Sequence, residues 1–277
     1  MTEEERRALE DAEARQRRAA LQVAVGMDER AGMGAPVRRT FIRPPEGGGP
    51  SPLVQLLSSR EGSGGGRGGR TRLALLLSLL WINAKAPFDT HRPATFLADL
   101  TGFTYGGKVP DRRARQATSA MLNAEAELAA RGFVTLRKGT PVGATPRTIT
   151  LLHEGGSRQP YSIPTGSDGD SYIRVPEELW TRGALTHLTG PGIATLLALL
   201  ELAGREPHPF TLGSGIAMAR FGISDTTRKK GLKNLYDIDI VDKRLEEVPG
   251  DDQRTRKRNV YTLSPAYYPK HWKAGTP

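Results

Sequence analysis

Two sets of segments recur in the same order along this chain, and that recurrence constrains its architecture more than any single motif. LALLLSLLW, AARGFVTLRK and RTITLL follow one another in the first half. ATLLALLELA, LYDIDIVDKR and NVYTLS follow one another in the second. Each set reads as apolar helix, basic helix, strand, loop and returning strand. Two copies of one supersecondary unit account for the length of 277 residues better than one large domain.

The second copy is the clearer. In GISDTTRKKGLKNLYDIDIVDKR, residues 222–244, Ser224 is placed to cap a helix, and Asp225 supplies the acid that a first turn favours. Leu232, Leu235 and Ile238 form an apolar stripe, while Arg228, Lys229, Lys230 and Lys233 leave a face bare of carboxylates. Asp239 stands where the chain must leave the helix, and Ile240, Val241 and Leu245 begin a strand. The loop VPGDDQRTRKR follows, and Asn259–Leu263 returns. Upstream, Tyr172–Val175 reads as a strand and Glu177–Leu188 as a helix. Thr189 caps a helix with Pro191 in its first turn, Phe210–Leu212 is a short strand, and Gly215–Phe221 is a helix.

In the first copy, Leu73–Trp81 is too long and too poor in β-branched residues for a strand, so it reads as a buried helix. Pro93 opens a second helix. A third runs from Asp111 to a glycine stop at Gly132, with Ala117, Met121, Ala124 and Leu128 as its core face. Glu125 interrupts that stripe, and Arg112, Arg113, Arg115 and Gln116 crowd the first turns. Phe133–Leu136 and Thr148–Leu152 flank a basic Gly/Pro-rich hairpin.

The remaining segments read as connections. Thr2 and Glu5 form a capping box for a charged helix through about Val25, poor enough in apolar residues to be solvated or partly disordered. Residues 31–52 read as linker, with VRRTFIR (Val37–Arg43) a short basic arm that is either solvated or placed in a minor groove. The expected division is 1–51 charged helix and disordered linker, 52–153 first unit, 154–170 acidic linker, 171–268 second unit and 269–277 tail.

A short helix, a tight turn, a basic second helix and a hairpin are the parts of a winged helix-turn-helix, whose second helix enters the major groove. GIS-x-x-T-x4-L-x-x-L followed by an Ile-Val strand resembles the turn and recognition helix of many bacterial regulators. As a whole the chain resembles tandem winged-helix DNA-binding proteins of the regulator or plasmid replication-initiator type. The resemblance covers residues 222–263 well and 72–152 less closely. It implies a mostly α protein with small β-hairpin wings (α+β), two winged-helix domains in tandem and a flexible N-terminal region. It also implies sequence-specific binding of double-stranded DNA, in transcription regulation or plasmid replication, and dimers.

The DNA-contacting residues expected on this reading fall in three groups. Thr226, Thr227, Lys229, Lys230 and Lys233 lie on the second recognition helix, and Arg254, Arg256, Lys257 and Arg258 on its wing. Arg112, Arg113, Arg115, Arg137, Lys138 and Arg147 belong to the first copy. The threonines assign base reading to the second copy, and the arginine excess assigns phosphate contacts to the first. A tandem winged-helix scaffold for protein partners, in chromosome or plasmid maintenance, is the alternative.

Charge location favours DNA. The formal net charge is +10, and the excess lies at 51–153 (+8) and 171–277 (+4), against 0 over 1–50 and −2 over 154–170. With no cysteine and five separated histidines, no metal site or cofactor is expected. Gly64–Thr71 has the spacing of a phosphate-binding loop, but Arg70 stands where the lysine belongs and no apolar strand leads in, so a flexible turn is expected. Trp81, Trp180 and Trp272 are isolated and form no stacking platform. No catalytic residues, no enzyme activity and no small-molecule substrate are expected. No apolar run approaches a membrane span, so the expectation is a cytoplasmic, nucleoid-associated protein without a membrane partner.

Overall fold

A computed structural model describes residues 2–27, 33–58, 68–103, 110–139, 147–167, 169–204, 208–249 and 255–268. At 110–114, 248–249 and 255–256 the backbone alone is described. The chain mixes helix and strand, about 52% and 16%, and its strands form small antiparallel sheets, so helices carry most of the core.

The N-terminal part comprises α1 (Glu3–Val25), β1 (Ala35–Arg38), α2 (Arg39–Ile42) and α3 (Pro52–Leu57). Then come α4 (Gly68–Ile82), β2 (Asp89–Thr90), α5 (Ala94–Leu100), α6 (Pro110–Ala130), β3 (Val134–Arg137) and β4 (Thr148–Leu151). β5 (Tyr172–Val175), α7 (Glu178–Thr181) and a 3-10 turn (Ala184–Thr186) lead into α8 (Gly190–Ala203). α9 (Ser214–Phe221), α10 (Asp225–Asp237), β6 (Val241–Pro249), β7 (Thr255–Leu263) and a last 3-10 turn (Pro265–Tyr267) complete the order.

One order of parts occurs twice. In the first copy, α4, β2, α5, α6 and the β3–β4 hairpin form a sheet ordered β2-β4-β3. In the second, α8 is followed by extended residue Phe210, then α9, α10 and the β6–β7 hairpin. Phe210 bridges Tyr261 of β7, each N–H donating to the other's carbonyl at 2.9 Å, so the strand order is the same. Local chemistry sets these elements. Every residue of α4 from Arg72 to Trp81 is buried, as suits a helix apolar all round. Thr189 caps α8 through Gly192 N–H at 3.1 Å, and Ser224 caps α10 through Thr227 N–H at 3.3 Å.

Among the described residues of 1–51, α1, β1 and α2 pack into the fold, where a flexible helix and a disordered linker were expected. α1 has the capping box read from Thr2 and Glu5, and it buries Ala12, Gln16, Ala19, Ala20 and Val23. Small side chains substitute for large apolar ones because they let α1 approach α5 and α7 closely. Gln16 is paired at both ends of its amide: it donates to Leu100 O at 3.0 Å and accepts from Thr186 N–H and Oγ1–H at 3.1 and 2.8 Å. The basic arm is inside the fold as well. β1 pairs antiparallel with β5, and Phe41 and Ile42 are fully buried. Arg38, 1% exposed, ion-pairs with Glu154 at 2.9 Å and with Asp170, and donates to Ser162 O at 2.8 Å. Those three partners lie in the stretch expected as a linker, where Tyr161 is buried too.

The halves grip one another reciprocally. Arg70, in the first turn of α4, donates to Thr101 O and Gly102 O after α5, at 3.1 and 3.0 Å. The same side chain donates to Leu185 O and Leu188 O before α8, at 2.8 and 3.0 Å. Conversely, Ser51 Oγ before α3 donates to Phe221 O at the end of α9, at 3.4 Å. Buried Glu201 of α8 accepts from Arg43 after α2 and from Arg220 of α9. Trp81 of α4 and Trp180 of α7 stack at 4.6 Å, and Trp180 Nε1–H donates to Ser78 Oγ at 2.9 Å. These indoles, isolated in sequence, form one buried pair. One apolar core runs from Ala19 to Tyr267.

Candidate nucleic-acid interface

The position of α10 is fixed by two glycines at its crossing with α8. A Cβ on Gly231 would lie 2.0 Å from Thr195 Oγ1, and one on Gly192 would lie 2.1 Å from Asn234 Oδ1. Asn234 completes the joint: its Oδ1 accepts from Thr189 N–H at 2.8 Å, and its Nδ2 donates to His187 O at 3.1 Å. The turn before the helix uses Gly222 at φ +67°, and the turn after it uses Asp239 at φ +56°.

The outward face of α10 carries Thr226, Lys229, Lys230 and Lys233, all exposed, with Thr227 half-buried beside the cap. Its electrostatics are less one-sided than the spacing suggests. Lys229 pairs with Asp225 at 2.8 Å and Lys233 with Asp237 at 2.7 Å. The two lysines hold Asp225 and Asp237 at i,i+4, where a charge pair on an exposed helix is weak and exchangeable. Bonds to Lys229 and then Arg228 hold the Asp225 carboxyl below its ordinary range. Arg228 itself turns inward, donating to Leu212 O at 2.9 Å and to Asp225 at 2.7 Å.

The hairpin differs from expectation in length. Both arms have nine residues, so Arg256, Lys257 and Arg258 stand on β7 rather than in a loop. In register, Lys257 faces Glu247 and Arg258 faces Glu246, with charged groups 3.7 and 3.8 Å apart. Arg244 joins Glu246 at 2.6 Å. Arg254 and the side chain of Arg256 lie outside the described residues.

In the first copy, Arg115 is exposed on α6, and the side chains of Arg112 and Arg113 lie outside the described residues. Arg137 and Lys138 are exposed at the end of β3, where Arg137 donates to Thr148 Oγ1 at 3.2 Å. Arg147 has a different place. It is the counterion of Glu125, 1% exposed, and also donates to Arg92 O at 3.2 Å. Burial raises the Glu125 carboxyl above its ordinary range, and Arg147 draws it back. The residue that interrupts the apolar stripe of α6 thus takes Arg147 away from the outward face. A short hollow of about 390 Å³ lies along α6 between Arg115, Thr118, Ser119, Leu122 and Asn123.

The glycine-rich stretch up to residue 67 lies outside the described residues, but Gly68–Thr71 form the first turn of α4 rather than a flexible turn. Arg70 is part-buried, desolvation brings its pKa down to about 10, and its N–H groups are committed to four carbonyls within 3.1 Å. Residue pairs such as Arg70–Leu188 and Gln16–Thr186 have no signal in sequence, because each joins positions more than a hundred apart. Among the described residues no three of His, Cys, Asp and Glu come together as metal ligands, and no helix is long and apolar enough to cross a membrane. No family model, curated protein or solved structure matches the chain.

Proposed function

We propose that this chain binds double-stranded DNA through two winged-helix units, α4–β4 and α8–β7, and acts as a transcriptional regulator or as a replication initiator of a plasmid or other mobile element. The observation that carries the reading is the twice-repeated order of helix, short extended segment, helix, helix and hairpin. In the better-defined copy, four exposed polar or cationic side chains stand on the helix after the tight turn. That helix is the element that enters the major groove in a winged helix, and the hairpin is the wing. The helix is held in place by the Gly192–Gly231 crossing, as an element that docks in a groove has to be. Lysines at its exposed end and cations on β7 would meet phosphates, displacing the weak intrahelical and cross-strand carboxylate partners. The chain performs no chemistry on DNA in this reading; its action is occupancy of a site.

The test is fluorescence anisotropy of labelled duplexes titrated with the full chain over a range of salt. Affinity should fall linearly on logarithmic axes, with a slope of about −0.9 per phosphate contact. Absence of binding at low salt to duplexes drawn from a random library would overturn the reading.

A further inference from the structure

Helices α6 and α10, each followed by a hairpin, end in the same way. Gly132 and Asp239 both have positive φ, +80° and +56°. Phe133 N–H donates to Leu128 O at 2.9 Å, and Ile240 N–H donates to Leu235 O at 3.0 Å. The next residues, Val134 and Val241, are both buried and begin the hairpins. Stepping back equally from these turns pairs Ala124 with Gly231 and Leu128 with Leu235, all four buried. It also pairs Ser119 with Thr226, Leu122 with Lys229, Asn123 with Lys230 and Ala126 with Lys233, all eight exposed. The outward faces therefore coincide position by position while their chemistry differs: neutral and partly apolar on α6, cationic on α10.

From this we infer that α6, not α10, reads the base sequence, and that α10 anchors the protein on phosphates. The inference rests on the DNA-binding reading above and reverses the assignment made from sequence. Asn is the side chain that pairs bidentately with adenine N6 and N7, and an exposed apolar group suits the thymine methyl. Asn123 and Leu122 put these two chemistries side by side at a central, exposed position of the helix, with Leu122 43% exposed. Ala126 and Ser119 are small enough to let the helix sit deep. Lysines at the matching positions of α10 are point charges on flexible stems, suited to phosphate and poor at planar recognition. The surroundings of the α6 face favour a polyanion over a protein partner. Its two described carboxylates are held by arginines, Glu125 by Arg147 and Glu127 by Arg72, while Arg115, Arg137 and Lys138 are exposed around it.

The experiment is enrichment of bound duplexes from a random library by the full chain, repeated with Leu122→Ala/Asn123→Ala and with Lys229→Ala/Lys230→Ala/Lys233→Ala. Each variant is then titrated against the enriched duplex and a scrambled one, and its mass is measured in solution. All five positions are exposed, so thermal melts should match the parent. The α6 variant should lose at least about tenfold in discrimination while keeping its affinity for scrambled DNA. The lysine variant should lose affinity for both duplexes, keep the enriched motif, and show a salt slope shallower by about two or three. A motif unchanged in the α6 variant, or altered in the lysine variant, overturns the assignment. A dimer that dissociates in the α6 variant with the motif intact also overturns it, as the face is then a protein interface. Failure of the parent chain to bind any duplex would instead remove the DNA-binding reading itself.

Discussion

Gly231 of α10 and Thr195 of α8 meet so closely that a methyl group on the glycine would sit 2.0 Å from the threonine hydroxyl oxygen and 2.5 Å from Pro191 O. One of those obstacles is backbone, so a rotamer change at Thr195 cannot clear it. Gly231→Ala should therefore force α10 away from α8, costing about 1–3 kcal/mol as overpacking does. The gain of about 1 kcal/mol that alanine normally gives over glycine within a helix would not show. Chemical denaturation of the variant measures the balance; an unchanged or raised midpoint would mean that the helices do not cross at this distance.

Arg70 and the last turn before α8 provide a second test. Arg70→Met keeps the aliphatic length but removes every donor to Thr101 O, Gly102 O, Leu185 O and Leu188 O. Hydrogen bonds from a charged group contribute about 1.5–3 kcal/mol each, and buried acceptors left bare add to the loss. We expect at least about 3 kcal/mol of destabilisation by the same measurement. Arg70→Lys should recover little, since one ammonium cannot span both sets of carbonyls. Saturable ATP binding by the parent that is lost in a stable Arg70→Met protein would return the residue to a phosphate-binding loop.

What sequence made legible was what neighbouring residues decide among themselves. Ser224 and Thr189 are caps because their hydroxyls reach the chain three residues on, and Asp239 turns left-handed because the helix has to end there. The repeat was visible because both copies put apolar helices and hairpins in one order. Hidden were polar residues whose partners lie far along the chain. Gln16 lies in a helix that reads as solvated or partly disordered and Arg38 in an arm that reads as solvated or placed in a minor groove, yet each is buried, because Leu100 and Thr186 complete one and Glu154, Ser162 and Asp170 complete the other. Alanines gave too weak an apolar signal to show that α1 packs. The likeness of the α6 and α10 faces also waited for the structure, since the helices differ in length at their N-termini and agree only when counted from their ends.

The Arg38 cluster makes stability depend on acid. Burial alone would raise the Asp170 carboxyl, but bonds from Thr165 and Arg38 outweigh it and hold the group below its ordinary 3.8. A carboxyl depressed by folding stabilises the native state above its unfolded pKa, and that contribution is lost as pH falls through the folded value. Asp170→Asn should thus cost about 1–2 kcal/mol at neutral pH, in the range of charge-assisted hydrogen bonds. The gap between variant and parent should close below pH 3.8. Urea melts at several pH values check this. A gap that is constant with pH would mean that the carboxylate's charge contributes nothing.

The last prediction concerns the hairpin. Glu246 and Glu247 stand across β6–β7 from Arg258 and Lys257, at 3.8 and 3.7 Å, and Glu246 also holds Arg244 at 2.6 Å. All three cations keep more than half of their side-chain surface exposed. Exposed pairs of this kind contribute little to folding, so Glu246→Gln/Glu247→Gln should leave the unfolding free energy within about 0.5 kcal/mol of the parent. If the chain binds DNA as proposed, the same carboxylates would oppose the approach of phosphate and compete for the cations. Their replacement should strengthen binding to any duplex several-fold at moderate salt and leave the enriched motif unchanged. Lys257→Ala/Arg258→Ala should do the reverse, weakening binding and making the salt slope shallower by up to about two. Anisotropy titrations of the two variants beside the parent decide the matter. Equal affinities and slopes in all three would take the hairpin out of the interface and leave contact with DNA to the helices alone.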